Sequence, residues 1–68
     1  MKITVNGQNK QISINSPTLE KVLIGLGYNP RLIVVEFNGT ILPPDQWASQ
    51  SVKDKDSLEI VTIVGGGN

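Results

Sequence analysis

Few side chains in this sequence are suited to acid–base or nucleophilic chemistry. Cysteine and histidine are both absent, which excludes disulfides, thiolate or imidazole metal ligands and any nucleophile activated by a histidine base. Glu20 falls in the first turn of a predicted helix, where a negative charge favours the helix dipole. Asp54 and Asp56 alternate with Lys53 and Lys55, a pattern typical of a solvated loop. We therefore predict no catalytic residue and no metal site.

The glycine run Gly65-Gly66-Gly67, followed by Asn68, is the most unusual segment. A main chain without Cβ atoms could thread a narrow channel where any side chain would clash. A glycine carboxylate is a poor electrophile, but adenylation by ATP would convert it to an acyl adenylate. A sulfur nucleophile could then displace AMP and leave a thiocarboxylate. Taken alone, the same residues are more typical of an unstructured tail or a cloning remnant than of a reactive end.

A hairpin and a helix are predicted upstream of this run. Residues 2–5 alternate in polarity before an Asn6-Gly7 turn, and Ile12 and Ile14 continue the apolar face after it. Ser16 then suits a helix N-cap and Pro17 the first helical position. Apolar residues recur at helical spacing from Leu19 to Leu26, and Gly27 supplies a stop, which predicts about ten helical residues.

Three more strands are predicted, at residues 32–37, 40–42 and 58–64. Asn38-Gly39 would join the first two, and a helical turn over residues 45–48 would lay Trp47 against the body of the domain. This order predicts an α+β fold of the β-grasp, ubiquitin-like type, a mixed five-stranded sheet with one helix packed across it. Residues 1–64 would form a single β-grasp domain, and residues 65–68 a flexible Gly-rich C-terminal tail. The predicted inner face of the sheet comprises Ile3, Val5, Ile12, Ile14, Ile33, Val35, Phe37, Leu58 and Ile60.

Three aliphatic residues are predicted on the outer face of the sheet. In the last predicted strand, the alternation that directs Glu59 outward also directs Val61 and Ile63 outward. In the strand at residues 32–37, the alternation that directs Glu36 outward also directs Val34 outward. Such a cluster beside the glycine run would suit a docking patch for a partner protein. The alternative is that central strands are simply apolar on both faces.

Composition narrows the partners and the compartment. Six Lys+Arg balance six Asp+Glu, which argues against nucleic acid and acidic membranes as partners. The sequence has no signal-peptide pattern and no membrane-spanning run. The absence of cysteine in so small a domain fits a reducing compartment, and we expect a cytoplasmic protein that is a monomer on its own, although an exposed aliphatic patch leaves self-association open.

Three segments together resemble the ThiS family, the ubiquitin-like sulfur carriers of thiamine thiazole synthesis. The opening Met1 to Gly7 is weakly specific. The middle, Val35 to Gly39 followed by Ile41-Leu42-Pro43 and Trp47, and the close, Leu58 to Gly67, are more so.

The resemblance implies a carrier on which enzymes act, rather than an enzyme. A ThiF-like adenylating enzyme would use ATP to activate Gly67, the thiocarboxylate position, while Gly65 and Gly66 enter the partner's channel. Sulfur would come from a cysteine desulfurase and pass to thiazole synthase, and no cofactor would be bound by the carrier itself.

Two positions depart from the family pattern. Lys55 stands where the family usually has the glycine of an Asp-Gly-Asp turn, which should change the turn only. Asn68 follows Gly67, although the family's reactive end is a free glycine carboxylate. Removal of Asn68 by a protease would restore that end, and a cloning remnant would explain it equally simply.

Other functions remain open on the sequence. The small subunit of molybdopterin synthase and the sulfur carriers of tRNA thiolation share the fold, the tail and the chemistry. A ubiquitin-like interaction module would bind through its sheet and not use its tail at all. An independent enzyme is the least favoured class.

Overall fold

The structure, a computed structural model, describes residues 1–64. The expectations for Gly65, Gly66, Gly67 and Asn68 fall outside the described residues. The elements in chain order are β1 (Lys2–Val5), β2 (Gln8–Gln11), α1 (Leu19–Gly25), β3 (Ile33–Phe37), β4 (Thr40–Leu42) and β5 (Ser57–Thr62), with 3₁₀ turns at Pro30–Leu32 and Pro44–Gln46.

The five strands form one mixed sheet in the order β2-β1-β5-β3-β4. Strands β1 and β5 are parallel, and the other neighbouring strands are antiparallel. The chain between β2 and β3 contains α1, whose Leu19, Val22 and Leu23 are fully buried. The predicted β-grasp architecture is therefore confirmed.

Both predicted Asn-Gly turns are present. Asn6 and Gly7 have φ of 49° and 80°, and Asn38 and Gly39 have φ of 50° and 88°. Two successive positive φ angles match the twist of the flanking strands, and asparagine and glycine are the residues that adopt them at least cost. These turns fix the register of β1 on β2 and of β3 on β4.

The core lies between α1 and the inner face of the sheet. Seven of the nine residues predicted for that face are buried, whereas Ile14 and Phe37 are partly buried against the same cluster. Trp47 is also buried, and its Nε1–H donates to the carbonyl of Leu42 at 2.9 Å. The prediction that Trp47 packs against the domain is confirmed.

The predicted start of the helix is wrong by two residues. The N-cap is Thr18, whose Oγ1 accepts a hydrogen bond from the backbone of Lys21, and not Ser16. Long-range pairing explains the delay, because the carbonyl of Pro17 accepts from the amide of Val52 and Thr18 bridges to Ser51. The segment is thereby held extended until Leu19, and α1 has 7 residues.

Two strand ends also differ from the prediction. β2 ends at Gln11, and its four residues are all exposed, as suits a polar strand at a sheet edge. Ile12 nevertheless reaches the core, since its backbone bonds to Met1 at the end of the hairpin. β5 ends at Thr62 rather than Val64, although the amide of Ile63 still donates to the carbonyl of Leu32.

Candidate functional site

The strand that leads to the glycine run is held on both sides. On one side, β5 pairs with β3 from Leu58 to Thr62. On the other side, its pairing with β1 covers Ser57 and Leu58. The last two residues before the run are Ile63 and Val64, and Val64 is 86% exposed.

The side chain of Asn6 extends the support of β5 beyond the end of β1. Its Oδ1 accepts a hydrogen bond from the amide of Ile60 at 2.7 Å, and its Nδ2 donates to the carbonyl of Ile60 at 3.1 Å. β1 ends at Val5, and the side chain of Asn6 makes the pair of hydrogen bonds to β5 that the backbone of a further β1 residue would otherwise make. β5 is therefore held at Ile60 by a residue that the sequence identified only as part of a turn.

The three outward aliphatic residues lie where alternation predicted. Val34, Val61 and Ile63 are 39%, 64% and 49% exposed, and Val34 and Val61 are direct cross-strand partners. No element within residues 1–64 covers these three side chains. Their use as a docking patch stays a prediction.

Two further aliphatic side chains extend this surface. Ile41 in β4 is 61% exposed. It pairs with Glu36 of β3 and therefore lies on the same face as Val34. Leu32 is 43% exposed and accepts the backbone hydrogen bond of Ile63. We call these five residues, Leu32, Val34, Ile41, Val61 and Ile63, the outer patch. Ile41 was missed because β4 has 3 residues, too few for alternation to show a face.

Four of the six carboxylates fall into two groups on the sheet and the loop before β5. Asp54 accepts a hydrogen bond from the amide of Lys2, and Asp56 accepts from the amide of Lys53 and from Nδ2 of Asn38. These bonds tie the loop before β5 to β1 and to the β3–β4 turn, which is a structural role. Glu36 and Glu59 instead lie opposite each other on the outer face, beside the outer patch.

Within residues 1–64, no group of three or more acidic, histidine or cysteine side chains is arranged to hold a metal ion. No helix there has the length and apolar character needed to span a bilayer.

A β-grasp domain in which a central strand runs toward a glycine segment defines a ubiquitin-like protein. A profile of the ThiS family matches residues 3–67, a range that includes the glycines. The chain belongs to the ThiS family, and the resemblance drawn from the sequence is confirmed.

Individual relatives agree with this assignment. Thiazole synthase of Paramagnetospirillum magneticum is 41% identical over 68 residues, which are 100% of this chain and 21% of that protein. This chain thus spans about a fifth of that relative's length. The sulfur carrier protein ThiS of Bacillus subtilis is 26% identical over 65 residues, covering 96% of this chain and 98% of the relative.

A solved structure shows the same fold. The crystal structure of the thiamine biosynthesis protein ThiS from Geobacter metallireducens has a TM-score of 0.82 and 29% identity to this chain, and the match covers 98% of this chain and 100% of that one. The ubiquitin-like β-grasp class is therefore confirmed at the level of the whole described domain.

Proposed function

We propose that this chain is a sulfur carrier of thiamine biosynthesis on which enzymes act at the glycine run. The observation that carries the proposal is the family match, which continues through Gly67. The strand that precedes the glycine run in the sequence is held on one side by β3 and on the other by β1 and Asn6. A main chain without Cβ atoms would fit a narrow channel. This combination suits modification of the chain by a partner's active site.

The chemistry requires a free carboxylate on Gly67. Because Asn68 follows it, a protease must first hydrolyse the Gly67–Asn68 peptide bond. The Gly67 carboxylate then attacks the α-phosphorus of ATP in an adenylating enzyme, releasing pyrophosphate and forming an acyl adenylate. A sulfide equivalent displaces AMP, and the product is the thiocarboxylate.

The partners follow from this sequence of steps. A ThiF-like enzyme binds the ATP, a cysteine desulfurase supplies the sulfur and thiazole synthase receives it, while the carrier holds no cofactor. A thiazole synthase that contains a segment similar to this whole chain favours that acceptor over those of the molybdopterin and tRNA branches. The reducing cytoplasm is the expected compartment, and the outer patch, with Val34, Val61 and Ile63 at its centre, is the expected docking surface.

Intact-mass measurement tests the proposal. The chain ending at Gly67 is incubated with the adenylating enzyme, ATP and sulfide, and we expect a mass gain equal to replacement of one oxygen by sulfur. Two control chains, one ending at Asn68 and one ending at Gly66, should remain unmodified, the first because its Gly67 is in a peptide bond and the second because its carboxylate stops one residue short. An unchanged mass for the chain ending at Gly67 would refute the carrier function.

An interaction module that ignores the tail is the second candidate, favoured by the exposure of the outer patch. Deletion of residues 66–68 separates the two functions. A carrier loses the ability to support thiazole synthesis after this deletion, whereas an interaction module keeps its function.

A further inference from the structure

Glu36 and Glu59 form a like-charged pair across the neighbouring strands β3 and β5. They are direct partners in the register of these antiparallel strands, which places their Cβ atoms about 5 Å apart on the same face. Both side chains are exposed. Two negative charges are therefore concentrated at one point of the outer face.

This pair is unfavourable for folding. Like charges directly opposite each other on a sheet destabilise it. Neither strand position favours glutamate, since residues with branched or aromatic side chains suit strands better. The carboxylates that accept hydrogen bonds within residues 1–64 are those of Asp54 and Asp56. The stability of the domain thus gives no reason for Glu36 and Glu59.

Aliphatic side chains surround the pair. Ile41 lies opposite Glu36 on the side of β4, and Val34 and Val61 form the adjacent outward row toward the glycine run. A protein that covers this face must satisfy two carboxylates set within apolar surface. A guanidinium meets that need well, because its planar donors bind carboxylates in pairs and its weak hydration suits an apolar setting.

A second copy of this chain fits the face poorly. Two copies packed through their outer patches would bring both acidic pairs into the same contact region, where desolvated like charges repel. The acidic pair therefore disfavours self-association while leaving the aliphatic residues available to a partner. The acidic pair thus disfavours binding of a second copy of this chain and favours binding of a partner that supplies a guanidinium.

We infer that Glu36 and Glu59 together receive an arginine side chain of thiazole synthase, with the outer patch packed around it. The inference rests on the proposed function, and it deepens that function by naming the recognition chemistry of the acceptor. Thiazole synthase is favoured as the occupant because one such enzyme carries a segment similar to this whole chain. The two parts belong to one polypeptide there, which keeps them within reach of each other.

The test is a calorimetric titration of this chain with thiazole synthase of the same organism, at low and high salt. We expect the double variant Glu36→Gln/Glu59→Gln to bind about tenfold or more weakly, with a reduced dependence on salt. The same variant should unfold at a higher temperature, since the like-charge repulsion is gone. A purely structural role for the pair would instead lower the melting temperature.

Two further variants make the result specific. Glu20→Gln/Asp45→Asn removes the same number of negative charges at exposed positions outside the sheet and should bind as the wild type does. Glu36→Asp/Glu59→Asp keeps the charges and should recover part of the affinity. The inference is overturned by equal affinity of the wild type and the Gln variant, by an equal loss in the Glu20/Asp45 control, or by a wild type that does not bind the synthase. Sulfur loading by the adenylating enzyme needs no synthase, so its mass measurement judges the proposed function separately.

Discussion

The side-chain amide of Asn6 bonds to both the amide and the carbonyl of Ile60, 54 residues further along the chain. Asn6 has φ of 49° and belongs to the turn between β1 and β2. Its side chain thereby links the first hairpin to the strand that leads to the glycine run. A turn residue in this structure is also part of the sheet.

Replacement of Asn6 by glycine is expected to destabilise the domain by about 2–3 kcal/mol. Glycine accepts the positive φ, so the loss reports the two hydrogen bonds, at about 0.5–1.5 kcal/mol each, and the added freedom of glycine in the unfolded chain. Urea unfolding followed by circular dichroism measures it.

The variant Asn6→Asp tests the hydrogen bond that Nδ2 of Asn6 donates to the carbonyl of Ile60. An ionised aspartate accepts from the amide of Ile60 but has no proton to donate to its carbonyl. It also tolerates a positive φ. Its second oxygen would face the carbonyl oxygen of Ile60, where two acceptors repel, so we expect a loss at least as large as that seen with glycine. Equal stability of the wild type and the glycine variant would contradict the role of these bonds.

The sequence was sufficient wherever local chemistry decides the structure. The Asn-Gly pairs determine their own turns, and alternation in β3 and β5 correctly directs Val34 and Val61 outward. It was insufficient where distant segments meet. The start of α1 at Leu19 depends on pairing with Ser51 and Val52, which nothing near Ser16 reveals.

The candidate site divides in the same way. The glycine run is visible in the sequence as a chemical feature, and its neighbourhood is not. Pairing of Glu36 with Glu59 and with Ile41 depends on the register of three strands. The bond from Asn6 to Ile60 depends on β1 lying beside β5. Neither relationship can be read before the topology is known.

Lys55 is expected to cost stability, because it has φ of 75°. A non-glycine residue in the left-handed region lowers the stability of the folded state by about 1–2 kcal/mol, and glycine would remove this strain. Glycine also stabilises the unfolded chain by about 0.5–1 kcal/mol through its greater conformational freedom, which offsets part of the gain. Lys55→Gly should therefore raise the free energy of unfolding by about 0.5–1 kcal/mol. The substitution supplies the Asp-Gly-Asp turn from which the sequence departs.

Lys53→Gly is the matched control in the same loop. Lys53 is not among the residues with positive φ, so glycine brings only added freedom there and should lower the stability by about 0.5–1 kcal/mol. Opposite signs for the two variants in urea unfolding are the expected result. A loss of stability in both would show that Lys55 is not strained.

Trp47→Phe should destabilise the domain by about 2 kcal/mol. Phenylalanine cannot donate to the carbonyl of Leu42, which costs about 1 kcal/mol, and it leaves part of a buried volume unfilled. Trp47 is only 2% exposed, so solvent cannot replace the lost contacts. Thermal unfolding by circular dichroism checks the value, and a change below about 0.5 kcal/mol would mean that the bond and the packing contribute little.

Val61→Lys should separate folding from partner recognition. Val61 is 64% exposed at the centre of the outer patch, so lysine keeps its charge in water and the domain remains folded, with a stability loss of at most about 1 kcal/mol. A charge placed in a contact that buries aliphatic surface should weaken binding to the adenylating enzyme about tenfold or more. The measurement is the rate of adenylation at limiting carrier concentration.

The control for this prediction is Ile24→Lys. Ile24 is 57% exposed on α1, on the side of the domain opposite the outer face, and it offers nearly the same exposure and the same change of side chain. We expect its adenylation rate to match that of the wild type. If both lysine variants are adenylated at the wild-type rate, the outer patch is not the surface that the enzyme recognises. If both are slowed equally, added charge anywhere on the carrier explains the loss, and docking through Val61 is refuted.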